Sequence, residues 1–416
     1  MGPNSEQGKV ALKVAVRFRP LSDAERAGGA YEAFRSDPSC PERVLIEDGP
    51  PGGYGHGGGG GGGPKAPAAG ASREEFVYNH VFPPAATNEQ VFSELVDLEP
   101  LLEGIHTTVF AYGVTGSGKT HTMLGEPGGD EGLVQRTVHA LFDEIRRRDD
   151  RVWSVRLSMM QVYNENLQDL IGARSPEAGL TILDDKIPGL AEPEMGSAEE
   201  TIAHIYRGNE KRKTAMTNKN EHSSRSHLIC RVTLESSAAG GDGPRGTCMR
   251  ARLTLVDLAG SECADTAYGT TSERDRMAEG KRINQSLLAL RRVFDALAEG
   301  GGGHVPFRES KLTQLLQESL SGAGARMTMV CAASPARCAR DRDPTLSTLR
   351  FAATSAAIKI SARQNVEVNP AVRVKELEAE LKEAQLKVSA LEAAALAMGG
   401  TGAYSNLTWN LWKYVA

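Results

Sequence analysis

The sequence predicts an α/β fold: a central mixed, mainly parallel β-sheet with helices on both faces, followed by a short coiled-coil helix. Three observations predict it. Extended apolar stretches alternate with helically spaced ones up to about residue 360, interrupted by one long glycine-rich stretch. One of the strands runs directly into a glycine-rich loop followed by a helical pattern. Beyond residue 370 the apolar spacing changes to alternating steps of three and four.

Residues 1–8 are polar and read as a disordered N-terminus, leaving 9–356 as one large domain. Val10–Phe18 alternates apolar and basic residues and stops at Pro20, which predicts a strand. Val44–Glu47 reads as a second, short one. Residues 48–73 contain the unbroken run Gly57–Gly63 and too little apolar surface to order themselves, so they read as a flexible insertion. Phe76–Phe82 resumes an extended pattern. Thr107–Tyr112, Val152–Tyr163 and Arg252–Asp257 read as strands, and Thr137–Arg148 and Glu279–Ala298 as helices.

The C-terminal segment 372–398 carries a seam: Val374, Leu377, Leu381, Ala384, Val388, Leu391, Ala395 and Met398. About three heptads with charges between them predict a homodimer through 374–398, against the alternative of one amphipathic helix packed on the domain. Gly399 to Gly402 ends that helix, and the tail 399–416 has no functional reading.

The chain has 416 residues, 40% hydrophobic and 24% charged, enough for a sizeable core. Its net charge of -5 argues against a nucleic-acid binder while leaving room for local basic patches on an acidic polymer. The six cysteines show no CxxC pair and no zinc spacing, as expected of reduced cytosolic thiols. The N-terminus lacks a signal-peptide pattern, and no run of about 18 apolar residues suggests membrane insertion. These features point to the cytoplasm.

The glycine-rich loop carries the chemistry. Gly113, Val114, Thr115, Gly116, Ser117, Gly118, Lys119 and Thr120 fit the phosphate-loop pattern G-x-x-x-x-G-K-[ST], directly after the strand Thr107–Tyr112. Glycines let backbone N–H groups turn inward on an anion, Lys119 reaches the outer phosphates, and the Thr120 hydroxyl suits Mg²⁺. Chance predicts roughly 0.02 such matches at this composition, before the preceding strand is required. Leu253–Asp257 adds an apolar strand ending in a carboxylate, as a P-loop site needs near Mg²⁺. Gly260, three residues on, lets a backbone N–H approach a γ-phosphate. The fold class is therefore a P-loop NTPase.

Three stretches in order then carry a family resemblance: Gly113 to Thr122, Asn220 to His227 (Asn-Glu-His-Ser-Ser-Arg-Ser-His) and Asp257 to Glu262 (Asp-Leu-Ala-Gly-Ser-Glu). Together they resemble the phosphate loop, switch I and switch II of a kinesin motor domain. The resemblance runs from about Val10 to Asn369. It implies ATP and Mg²⁺ as ligands, microtubules (tubulin) as the partner, the cytoskeleton as the location and plus-end-directed movement as the function. It also implies roles. Arg17, Arg19 and Pro20 should surround the adenine, with His121 stacked on it. Ser224, Thr120 and Asp257 should hold Mg²⁺, with Asn220, Ser223 and Gly260 near the γ-phosphate. Arg225 and Glu262 should pair and order the attacking water. Lys281, Arg282, His304, Arg308 and Lys311 should face tubulin. Residues 357–371, with Ile358 and Asn365, resemble a neck linker.

Some positions depart from the family's pattern. Val114 replaces a usual polar residue or proline. In the relay helix Arg291 and Arg292 stand where Gly-Asn is common, so its packing should differ. Gln314 replaces a usual basic residue, Ala353–Ala357 lacks the usual basic residues, and Pro344 precedes the last helix. A nucleotide-gated microtubule cross-linker that does not step is the alternative reading; a small-GTPase-like switch gains nothing from the Asn220 to His227 motif.

Overall fold

The computed structural model describes residues 9–47, 75–126, 128–173, 179–183, 186–217, 225–238, 247–262, 271–300, 304–320, 325–336, 344–361, 366–368, 378, 381–382 and 384–389. For 9–11, 215–217, 247, 271–284, 360–361 and 366–368 the description covers the backbone alone. Expectations for 1–8, 48–73, Asn220, Ser223, Ser224, Asn365 and most of 372–416 fall outside the described residues.

The chain opens with β1 (Lys9–Ala11), β2 (Lys13–Phe18) and α1 (Asp23–Ala27). A small antiparallel sheet of β3 (Phe34–Asp37), β4 (Cys40–Ile46) and β5 (Phe76–Val77) follows. Next come β6 (His80–Phe82), α2 (Asn88–Leu95), α3 (Glu99–Leu102), β7 (His106–Tyr112), α4 (Lys119–Leu124), α5 (Leu133–Arg147), β8 (Arg151–Tyr163) and β9 (Asn166–Asp169). The second half holds α6 (Ala198–Thr217), β10 (His227–Ala238), β11 (Thr247–Asp257), α7 (Thr271–Ala298), α8 (Lys311–Leu320), β12 (Ala325–Ala333), α9 (Pro344–Ala356), β13 (Lys359–Ser361) and β14 (Val366–Val368).

The main sheet runs β6-β2-β12-β7-β11-β10-β8-β9. The half from β6 to β11 is parallel and the half beyond β11 antiparallel. Alternation along the strands builds two cores, one on each face. Val14, Val16 and Phe18 of β2, Phe110 and Tyr112 of β7, and Met329 and Cys331 of β12 meet α7, α8 and α9 on one face. Ala15, Val109, Ala111 and Val330 from the same strands meet α2 to α6 on the other. All seven residues of β7 are buried, as a central parallel strand covered on both faces requires.

Several elements extend past their sequence-predicted limits. α5 starts at Leu133 rather than Thr137, because Leu133 and Val134 continue the buried stripe of Val138, Leu141 and Phe142. α7 begins at Thr271, eight residues before Glu279, in a charged stretch without apolar periodicity. The single strand expected over Val10–Phe18 is two, which pair in different sheets. Pro344 is the first residue of α9, where its missing N–H costs nothing.

Two pairings position the C-terminal part. β1 pairs antiparallel with β13, Lys9 opposite Ser361 and Ala11 opposite Lys359. β14 pairs antiparallel with the start of β11, Thr247 opposite Val368. Between α9 and β13, Ile358 is fully buried and its carbonyl accepts the Leu12 N–H at 3.0 Å. In the C-terminal helix, Leu381 and Val388 are 59% and 43% exposed.

Candidate nucleotide site

The loop between β7 and α4 is shaped by its glycines. Gly113, Gly116 and Gly118 have φ of 145°, 73° and 104°, a region that disfavours L side chains. At Gly113 space forbids one too, since a Cβ would fall deep inside van der Waals contact with the Ala332 carbonyl of β12. The loop encloses a cavity of about 300 Å³ lined by Thr115, Gly116, Gly118, Lys119, Thr120, His121 and Leu258.

Lys119 is 6% exposed, and its ammonium donates to the carbonyls of Gly113 and Val114, each at 2.9 Å. Burial lowers its pKa, with Asp257 and Glu262 opposing the shift, so an incoming anion meets a cation already desolvated. The Thr120 hydroxyl donates to Asp257 Oδ2 at 2.8 Å. Asp257 is 3% exposed, and its Oδ1 has no hydrogen-bond partner among the described residues. A buried carboxylate oxygen left open beside a hydroxyl is a hard-oxygen donor pair, which fits Mg²⁺. The Ser117 hydroxyl is likewise buried without a partner among the described residues.

The loop after β11 closes on the same cavity. The Glu262 carboxylate accepts from the Thr115 N–H at 2.7 Å and from the Thr115 hydroxyl. The Ser261 N–H donates to the Gly113 carbonyl at 3.0 Å. A Cβ on Gly260 would collide with the Thr115 hydroxyl and the Glu262 carboxylate. Arg225, the first described residue of the switch I-like stretch, is half-buried.

Arg17, which the resemblance places around the adenine, is buried and is not among the residues lining the cavity. Its guanidinium donates to Asn88 Oδ1, to Thr122 Oγ1 at 2.9 Å and to the Ala86 carbonyl at 2.9 Å. Arg19 holds Glu25 through two 2.7 Å bonds and also donates to the Pro20 carbonyl at 2.7 Å. The hydrogen bond from Arg19 is the main cause that brings Glu25 down to about 2.

Away from the cavity, His304 and Arg308 are exposed and Lys311 is half-buried at the start of α8. Lys281 and Arg282 lie on α7, where the description covers the backbone alone.

Three residues not singled out in the sequence support this site. Arg212 of α6 donates to the Ser226 hydroxyl and carbonyl, each at 3.0 Å, and lies 3.8 Å from Asp257 Oδ2. Its signal was only one arginine in a basic helical stretch. His227 closes the Asn220 to His227 motif and is fully buried. Its Nδ1 accepts the Ala259 N–H at 3.0 Å, which fixes the proton on Nε2, 2.8 Å from the Ser286 hydroxyl of α7. Burial, reinforced by Arg212 and Lys119, lowers its pKa to about 3, so it stays neutral. Glu165 sits in the β8–β9 turn with φ 58° and accepts from the Ser310 hydroxyl and the Lys311 N–H, both at 2.7 Å. It thereby anchors the first turn of α8.

The kinesin motor domain profile matches residues 17–358. The chain is 34% identical to the kinesin-like protein KIF18B of Gallus gallus, over 95% of this chain and 49% of that protein. It is 38% identical to the chromosome-associated kinesin KIF4 of Xenopus laevis, over 94% of this chain and 30% of that protein. It therefore spans half or less of those relatives' length. A solved structure of a fast kinesin superposes with a TM-score of 0.70 at 32% identity, covering 87% of this chain and 95% of that one. Fold, loop geometry and sequence similarity converge over the same span, and the chain belongs to the kinesin family through its motor domain.

Proposed function

We propose that this chain hydrolyses ATP in the Thr115–His121 cavity, that microtubules stimulate the hydrolysis, and that the cycle drives plus-end-directed movement. The observation that carries this reading is the meeting of Thr120 with Asp257 beneath the loop while Glu262 reaches Thr115 across it. Hydrolysis then needs positioning and charge neutralisation more than a strong base. Lys119 and the loop N–H groups bind the phosphates. Thr120, Asp257 and Ser224 would hold Mg²⁺, which supplies charge neutralisation on the phosphate oxygens. Gly260, with Asn220 and Ser223, senses the γ-phosphate, and Arg225 and Glu262 join the two switch loops around the water.

Residues 357–371 act as the neck linker, a role supported by the pairing of β13 with β1 and of β14 with β11. Lys281, Arg282, His304, Arg308 and Lys311 contribute a basic track-binding face on α7, α8 and the turn before it. Exposure of Leu381 and Val388 supports homodimerisation through 374–398. The cytoplasmic microtubule cytoskeleton is the proposed location. A second reading, a cross-linker that does not step, is favoured by the contacts that Arg291 makes between α7 and α9.

The test is steady-state ATP turnover with and without stabilised microtubules, with Lys119→Ala as control. Strong stimulation, lost in the control, supports the motor reading. Tight microtubule binding without stimulation overturns it in favour of the cross-linker.

A further inference from the structure

Arg291 joins elements that the nucleotide site alone does not require to touch. It projects from the half of α7 that also buries Leu290 and Phe294. Its guanidinium carbon lies 5.4 Å from the ring centroid of Phe351 on α9, and its Nη2 lies 3.4 Å from the Ser347 hydroxyl on the same helix. Burial raises the Tyr112 pKa, with the nearby Arg291 charge and Ser261 opposing the shift. Tyr112 is the last residue of β7, next to Gly113, and Ser261 belongs to the loop after Asp257.

The rings beneath Arg291 form a continuous cluster of tilted and edge-on pairs. Tyr112 and Phe351 are 4.3 Å apart by centroids, Phe351 and Phe294 5.2 Å, and Phe294 and Phe110 5.9 Å. A cation over a ring face of such a cluster is attracted by the ring quadrupole. α9 ends two residues before the buried Ile358, and β13 begins directly after it, paired with β1. One side chain thus joins the relay helix to the helix that delivers the neck strand, close to the end of the phosphate-loop strand.

We propose that Arg291 is a positioning residue that latches α7 onto α9 in the arrangement with β13 and β14 paired, so that the neck strands stay docked with ADP bound as well as with ATP. This deepens the non-stepping reading, which the same Arg291 contacts favour, and rests on the neck-linker assignment above. A contact shifts an equilibrium only by its difference between the two states. The Phe351 and Ser347 contacts involve no nucleotide group, so they add a constant bias toward docking that a glycine at this position cannot supply.

The test is amide hydrogen exchange of β13 and β14 in the full chain, with ADP and with a non-hydrolysable ATP analogue, for wild type, Arg291→Ala and Phe351→Leu. Wild type should protect both strands with either nucleotide. Both variants should lose about tenfold protection in each nucleotide state, the size expected for one partly desolvated cation–π contact with its hydrogen bond. Unchanged protection with ADP overturns the proposal. Loss that extends equally to β7 and β12 also overturns it, because that pattern means general destabilisation and no specific latch. The comparison needs no microtubules, so failure of microtubule-stimulated turnover would sink the motor reading without deciding this result.

Discussion

Replacing His227 by alanine tests how the switch loops are held to the relay helix. The substitution removes the acceptor of the buried Ala259 N–H and the donor to Ser286. A buried donor left unpaired costs about 1–3 kcal/mol. The space of the lost ring adds roughly 1–2 kcal/mol, because packed surroundings relax only in part. His227→Ala should therefore lower unfolding free energy by about 3–4 kcal/mol in urea titrations at pH 7.5. His227→Asn, whose amide oxygen can replace Nδ1 as acceptor, should recover roughly half of that loss. The same residue sets a pH signature. Folded His227 titrates at about 3 and the unfolded side chain near 6.5, so between these values the unfolded state binds the extra proton. Stability is then full above 6.5 and falls as pH drops through that window, by about 2 kcal/mol at pH 5. The advantage of wild type over His227→Asn should shrink by that amount between pH 7.5 and pH 5. An alanine variant within 1 kcal/mol of wild type (roughly the net worth of one hydrogen bond), or a pH-independent gap to asparagine, would refute the reasoning.

Three further outcomes are expected. Gly113→Ala places a Cβ against the Ala332 carbonyl at φ 145°, a backbone group held in the central sheet that cannot yield. Affinity for a fluorescent ATP analogue should fall at least about 100-fold, a cost of roughly 3 kcal/mol; a fall under tenfold would contradict the geometry. Glu165→Ala removes the carboxylate that holds Ser310 and Lys311, and should cost about 1–2 kcal/mol in chemical denaturation. Burial favours the neutral form of Glu318, but the His106 hydrogen bond and the Arg252 charge prevail and bring it to about 2 from 4.5. This ion cluster stabilises fully above pH 4.5 and loses its contribution as pH falls toward 2. The penalty of Glu318→Gln, about 2–3 kcal/mol at pH 7, should therefore diminish across that range.

The phosphate loop and the strand end at Asp257 were legible because each is local: spacing within a dozen residues specifies the turn in one and the carboxylate in the other, while only the fold brings Thr120 to Asp257. β7 was legible for the same reason, as a short apolar run bounded by Gly113. The start of α7 was not, since Ser272–Met277 carries no apolar stripe and its helix is specified elsewhere in the fold. Arg17 shows another limit. The resemblance implies a place around the adenine, and only the fold shows that its guanidinium donates to Asn88 and Thr122, 71 and 105 residues away.

By itself the sequence determined the class of fold, the phosphate-binding loop and the order of the switch motifs. Only the tertiary structure decided that β12 lies between β2 and β7, that β1 pairs with β13, and that Arg291 reaches Phe351. The reason is physical. Loop geometry follows from backbone freedom over a few residues, whereas strand order and helix contacts follow from burying both faces of one sheet at once. That condition joins residues hundreds of positions apart, and a linear pattern carries no record of which distant partner completes it.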